Sequence, residues 1–283
     1  MIGNESQNDF FSNNYGYVWN KNNPLSMLLK HYPKKFGLLL ETIYDIPLKN
    51  RKIEQKIEQS ARKLTKKNIL IVGVELPERY ADMRRIEKQM AKTRHNFVFD
   101  TIKPFGSGKF EHLNAVLGRY NLEQFDWIIV TDDDVDVPDN FVDHFICILE
   151  KYDIKLGQPS HSFISYATYT LTRRHFNSIA RLTNFVEIGP IFALHRDVFA
   201  DILPFPDVGM GWGLDIHWSF LANKKNWRIG IVDAVPIRHL RPVGSGYKAN
   251  NALAAAESFL RGHGKISRRD ILRTKKIFRS WVR

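Results

Sequence analysis

Apolar residues run without interruption through Ile69-Leu70-Ile71-Val72-Gly73-Val74 and again through Trp127-Ile128-Ile129-Val130. Short apolar runs of this length, closed by polar residues, suit strands buried on both faces. Residues 96–102 predict another strand. Between these runs the polar and apolar positions follow helical spacing over 78–93, 109–120 and 138–152, with Pro138 suited to a first helical turn. Three strands alternating with three helices predict an α/β fold built on a mainly parallel sheet. Beyond residue 154 the pattern loosens. Residues 163–172, 187–194, 229–232 and 235–239 read as short strands, and 214–223 as a helix. No repeat or low-complexity linker divides residues 67–245, so they read as one domain. Residues 1–24 are polar and Asn-rich, and 26–66 read as helical with a break near Pro47. Hence 1–66 is expected as a helical extension before the domain, and 246–283 as a second, basic helical extension after it.

Composition narrows the class. Of 283 residues, 43% are hydrophobic and 25% charged, enough for a sizeable core and against wholesale disorder. No apolar run reaches the roughly 18–20 residues of a membrane helix. The first residues lack the basic and apolar regions of a signal peptide. A single cysteine, Cys147, excludes an intrachain disulfide framework and a Cys-rich zinc site. A cytoplasmic protein is the expectation.

Charge is the anomaly: 42 Lys and Arg against 30 Asp and Glu give a net +12, suited to nucleic acid, an anionic membrane or a phosphate-rich substrate. Residues 259–283 hold nine basic residues against one Asp, a net +8, and 49–67 form a second basic stretch. Ser267 is placed to cap a helix with Asp270 in its first turn. On such a helix Ile271, Phe278, Trp281 and Val282 share a face, with Arg268, Arg273, Lys276 and Arg279 around the others. A basic helix of this kind can lie on an anionic bilayer, peripheral at the inner face of a membrane, or pack on its own domain.

The chemistry gathers at strand ends. The run from Trp127 stops at Asp132-Asp133-Asp134, and parallel α/β sheets bind ligands beyond the carboxyl ends of their strands. Clustered carboxylates repel one another. A divalent cation with oxygen ligands removes that cost and also binds diphosphate; an acidic turn at a helix start is the plainer alternative. Before this strand, Gly106-Ser107-Gly108-Lys109 opens a helix carrying Leu113 and Asn114. Its glycines permit close backbone approach, and Lys109 with the helix N-terminus offers positive potential to phosphates.

The acidic strand end and the Gly-Lys…Leu-Asn helix start resemble the Asp-x-Asp and helix-start motifs of GT-A-fold glycosyltransferases of the family-2 type. Gly209-Met210-Gly211-Trp212-Gly213-Leu214-Asp215 resembles the Trp-Gly-x-Asp stretch of inverting members, and His239 falls where many members supply a late metal ligand. With Gly157-Gln158-Pro159 and Glu187-Ile188-Gly189-Pro190, the motif order over about residues 68–245 resembles an uncharacterised GT-A-like family of plants and bacteria. Residues 74–79 depart from the family's Pro-x-Tyr/Phe-Asn pattern, so no base-recognising residue carries over.

The resemblance implies a metal-dependent, inverting transferase. It would use a nucleotide-diphosphate sugar and Mn²⁺ or Mg²⁺, with a glycan or glycolipid hydroxyl as acceptor. Asp132, Asp134 and His239 would serve the metal. Lys109, Asn114, Asp132, Asp133 and Arg241 would hold the nucleotide, and Asp215 would be the general base. Glu187 reads either as facing the acceptor or as an ordinary strand end, and His217 reads as structural. Two alternatives stand beside this: a nucleotidyltransferase, which would need a Gly-rich loop that 74–79 lacks, and a basic nucleic-acid-binding protein, for which no motif appears.

Overall fold

The computed structural model describes residues 51–106, 108–241, 249–263 and 267–281; the expectations for 1–24 and for the helix before Pro47 lie outside them. Helix α1 (Arg51–Lys63) leads into β1 (Asn68–Val74), α2 (Tyr80–Met90), β2 (Asn96–Ile102), α3 (Lys109–Leu117) and β3 (Trp127–Thr131). The two-residue β4 (Val135–Asp136), α4 (Phe141–Lys151), β5 (Leu156–His161), β6 (Ala180–Thr183) and β7 (Ile191–His195) follow. The chain continues through α5 (Leu214–Lys225), β8 (Ile229–His239), α6 (Ala249–Leu260) and β9 (Thr274–Phe278).

The strands order as β2-β1-β3-β7-β5-β8-β6-β9, with β4 paired to β8. Only β7 and β6 run against the rest of this path. The sheet is therefore mixed and mainly parallel, flanked by helices, as the sequence predicts.

Period-two alternation explains the uninterrupted apolar runs. Ile69, Ile71, Trp127 and Ile129 cluster with residues of α1, α2 and α4 on one face. Leu70, Val72, Ile128 and Val130 cluster with α3 and α5 on the other. Neither strand has a polar face, because helices cover both. Helix α1 belongs to this packing. His144 of α4 bonds Glu58 at 2.6 Å, and Arg94 donates to the carbonyl of Ala61 at 2.6 Å.

Several expectations need correction. Helix α4 starts at Phe141, after Asn140 in the left-handed region (φ 55°), so Pro138 does not open it. Asp139 pairs with Lys92 at 2.8 Å. Residues 163–172 form turns, closed locally by the amides of Ser165 on Ser162 and of Thr172 on Tyr169, each at 3.2 Å. Strand β7 begins only at Ile191, since Pro190 has no N–H to give a ladder. The two strands expected at 229–232 and 235–239 are one. Asp233 at their join takes two bonds from buried Arg181, at 2.8 and 3.0 Å.

The largest correction concerns the basic tail. Helix α6 lies within 246–283, but Thr274–Phe278 is strand β9, paired antiparallel with β6. Phe278 stacks on Tyr152 with ring centroids 4.0 Å apart, and the Trp281 indole donates to Ser60 Oγ at 3.0 Å. Of the apolar residues expected to enter a bilayer, Ile271, Phe278 and Trp281 are thus seated on the domain itself, while Val282 lies outside the described residues and exposed Lys275 and Lys276 mark the sheet edge. Charged residues on an edge strand discourage pairing with other chains. Among the described residues, no helix is long and apolar enough to cross a membrane.

Candidate active site

The acidic triplet leaves β3 at its carboxyl end, and backbone pairing fixes its course. Asp132 N donates to Pro190 O at 2.8 Å, and Leu240 N donates to Asp134 O at 2.8 Å. Strand β4 then places Val135 opposite His239. The three side chains consequently go to three different partners. Asp132 meets Lys109 Nζ at 2.6 Å, Asp133 meets Arg79 Nη1 at 2.9 Å, and Asp134 meets His239 Nε2 at 3.2 Å.

Their electrostatics differ accordingly. Burial pushes the Asp133 carboxyl up, against the opposing pull of Arg79. Burial would do the same to Asp134, but the bond and charge of His239, helped by Arg79 and Lys109, outweigh it and hold Asp134 below the usual range. His239 is raised in return. Burial disfavours its cation, and Asp134 more than offsets that.

Lys109 is the first residue of α3, behind Gly108. Its ammonium also donates to Ile188 O at 3.2 Å. Gly189 lies against this pair. A Cβ there would stand 2.9 Å from Asp132 Oδ2 and 3.1 Å from Lys109 Nζ, so any side chain would crowd the charges. The start of α3 also carries the loop before α5. Gly211 has φ 83°, and a Cβ on it would come within 2.1 Å of the Phe110 ring; one on Gly108 would come within 2.7 Å of Gly209 O. This contact brings the start of α3 and the loop before Asp215 together.

Asp215, in the first turn of α5, is only 6% exposed. Burial pushes its carboxyl up to about 7, with the Ile216 amide (2.9 Å) opposing and the charge of Glu187 adding to the rise. A separate buried polar row runs back from His239. His239 N donates to Ser165 Oγ at 2.8 Å, Ser165 Oγ meets His161 Nδ1 at 3.0 Å, and His161 Nε2 meets Glu187 Oε2 at 3.1 Å.

Of the residues predicted for the site, Lys109, Asp132, Asp134 and His239 meet at the end of β3, and Asp215 sits beyond the loop that packs on α3. Asn114 does not join them. Its amide donates to Phe205 O and accepts from Phe205 N, both at 2.8 Å, and so fixes a loop. Asp133 is committed to Arg79, and Arg241 to Asp82 at 3.1 Å. Trp212 is buried with Phe185 and Ile216 instead of lying open to a sugar ring. His217 pairs with His263 at 2.7 Å, in keeping with a structural role.

Among the described residues, no three His, Cys, Asp or Glu side chains converge as a metal site. Of the expected trio, Asp134 and His239 are in contact at 3.2 Å, while Asp132 is turned to Lys109 at 2.6 Å. Asp134 with His239 is a two-donor set of oxygen and imidazole that suits a divalent ion, and His239 Nδ1 is buried without a hydrogen-bond partner. Sequence reasoning missed His161 and Arg79, since a lone His or Arg outside any motif carries no signal, and it left the side of Glu187 open.

The fold is that of GT-A glycosyltransferases. GalNAc-T7, solved with UDP, GalNAc and Mn²⁺, superposes with TM-score 0.50 at 11% identity over 64% of this chain and 45% of that one. This chain thus spans under half the length of that protein. S. aureus TarS 1–349 with UDP-GlcNAc aligns with TM-score 0.47 at 11% identity, over 69% of this chain and 67% of that one. No family model matches the sequence, so the narrower likeness to a plant and bacterial family gains no support, and no curated protein matches it.

Proposed function

We propose that this protein is a metal-dependent, inverting glycosyltransferase moving a sugar from a nucleotide-diphosphate donor to a hydroxyl of a glycan or glycolipid. The observation that carries this is the pairing of Lys109–Asp132 and Asp134–His239 at one strand end, beside a loop bearing a buried carboxyl on α5. A Mn²⁺ or Mg²⁺ ion held by Asp134 and His239 would supply charge neutralisation to the leaving diphosphate. Lys109 and the N-terminus of α3 add positive potential to the same phosphates. Asp132, half open beside Lys109, accepts from the ribose hydroxyls. Asp215 takes the acceptor's hydroxyl proton as that oxygen bonds to the anomeric carbon and the bond to diphosphate breaks. One displacement of this kind inverts the centre and needs no covalent enzyme intermediate. The nucleotidyltransferase alternative is less well supported, because residues 74–79 after β1 hold no Gly-rich loop. The nucleic-acid alternative is weaker too, because the basic residues cluster toward the ends of the sequence and no nucleic-acid motif appears.

Asp132→Asn combined with Asp134→Asn tests the reading. Calorimetry should show that Mn²⁺-dependent binding of a nucleoside diphosphate is lost while the circular dichroism spectrum stays unchanged. Undiminished affinity in the folded double variant would refute it.

A further inference from the structure

Two basic segments that lie far apart in the sequence meet on one surface. Helix α1 packs Ile53, Ile57 and Leu64 against the core. At about 100° per residue, Ser60 falls at one margin of this stripe, and Lys52, Lys56 and Lys63 follow it round the same flank. All three lysines are exposed. Glu54 and Glu58 fall on the opposite flank, where Glu58 meets His144 of α4. The Trp281 indole donates to Ser60 Oγ at 3.0 Å. The lysine flank of α1 is therefore the one turned toward the C-terminal segment.

That segment and α4 add cations of their own. The Lys276 ammonium stands 5.0 Å from the Phe278 ring centroid, and that of Lys151, the last residue of α4, stands 5.7 Å from the Trp281 centroid. Tyr152 joins the two rings, stacked on Phe278 and edge-on to Trp281 at 5.9 Å. Its hydroxyl donates to Ser280 O at 3.2 Å, next to exposed Arg279. Charges from α1, α4 and the β9 segment are thus carried on one shared aromatic base. The acids beside Lys151 and Tyr152 are already paired, Glu150 with Lys67 at 2.8 Å and Asp153 with Lys155 at 3.0 Å. Among the described residues, no ion pair engages any of the six cations.

We infer that this surface docks the protein on an anionic lipid bilayer. Long lysine stems on the outside of a helix and on an edge strand reach a flat surface together, and the negative potential of a leaflet attracts each of them. A single-stranded nucleic acid would also need open ring faces on which to stack its bases. Here Tyr152 and Phe278 cover each other at 4.0 Å, and Trp281 is tied to α1. Docking of this kind leaves the apolar residues in the domain and needs no inserted helix. It uses none of the residues of the transferase reading and stands apart from it.

Sedimentation of the full-length protein with vesicles tests this, using phosphatidylcholine alone and phosphatidylcholine mixed with phosphatidylglycerol. Binding should appear only with the anionic mixture and should weaken as salt is raised. Each cation near such a surface contributes about fivefold in partitioning. Lys56→Gln with Lys63→Gln should therefore lower binding about 25-fold, and Lys276→Gln alone about fivefold. Lys224→Gln with Arg261→Gln removes the same charge from α5 and the turn after α6, and should change binding by about twofold at most. Absence of binding to the anionic vesicles, equal binding to the neutral ones, or equal losses in the two double variants would each overturn the inference. So would an effect of the α1 pair with none from Lys276, because the two segments would then not share the surface. Fluorescence anisotropy with a single-stranded oligonucleotide runs alongside. Capture of the oligonucleotide more tightly than of the vesicles, lost with Lys56 and Lys63, would assign the surface to nucleic acid and overturn the inference as well.

Discussion

Replacing Asp215 by Asn should make the protein more stable while it loses its chemistry. The carboxyl is buried and held up to about 7 against an ordinary 3.8. Folding therefore retains a proton that the unfolded chain releases above about pH 4. Wherever the native state binds more protons, stability falls as pH rises, so this group destabilises the fold progressively from about pH 4 to about pH 7. At 1.36 kcal/mol per pKa unit, the full loss is about 4 kcal/mol. An amide at this position is never charged and escapes it, although its NH₂ needs a partner and will return part of the gain. Urea denaturation of both proteins between pH 4 and pH 8 isolates the effect, because every other group titrates alike in the two. Near pH 4 the variant should match the parent or fall slightly below it. By pH 8 it should lead by about 2–4 kcal/mol, or several degrees in Tm. Turnover should drop by about 10²–10⁴-fold, the usual contribution of a positioned base. Parallel stability curves across this pH range would refute the account of a buried, reluctantly ionised carboxyl.

Two further outcomes follow from the packing. Gly211→Ala combines a φ of 83° with a Cβ 2.1 Å from the Phe110 ring. It should cost about 1–3 kcal/mol for the backbone and a similar amount for the clash, measured by chemical denaturation; a neutral substitution would show that the loop does not rest on α3. Trp281→Phe keeps the ring against Tyr152 but loses the 3.0 Å bond to Ser60, so it should cost about 0.5–1.5 kcal/mol, and an unchanged midpoint would place Trp281 away from α1.

What the sequence discloses depends on how local the cause is. Strands β1 and β3 are legible because burial on both faces writes an unbroken apolar run, and the acidic end of β3 is legible because strand ends face ligands. Strand β9 is not. Thr274–Phe278 reads equally well as one side of a basic helix, and its pairing with β6 comes from a segment far away in the chain. The partners of Asn114 are hidden for the same reason: its two bonds reach Phe205, 91 positions away, and no local motif announces them. Residues 163–172 mislead in the opposite sense. Their apolar content satisfies a strand pattern, while hydroxyl-bearing Ser165 and Thr172 close turns and serve His161 and Glu187.

The joining of β9 to β6 also orders events during synthesis. Strand β6 leaves the ribosome with its inner partner β8 and its outer partner β9 both still to come. About 90 residues separate Thr183 from Thr274, which register together in the finished sheet. At about 5–20 residues per second, that is roughly 5–18 s in which the outer edge of β6 has nothing to pair with. A nascent chain at that stage presents an open backbone edge, so slowed translation between β6 and β9 should favour misassembled protein even though the completed fold is unchanged.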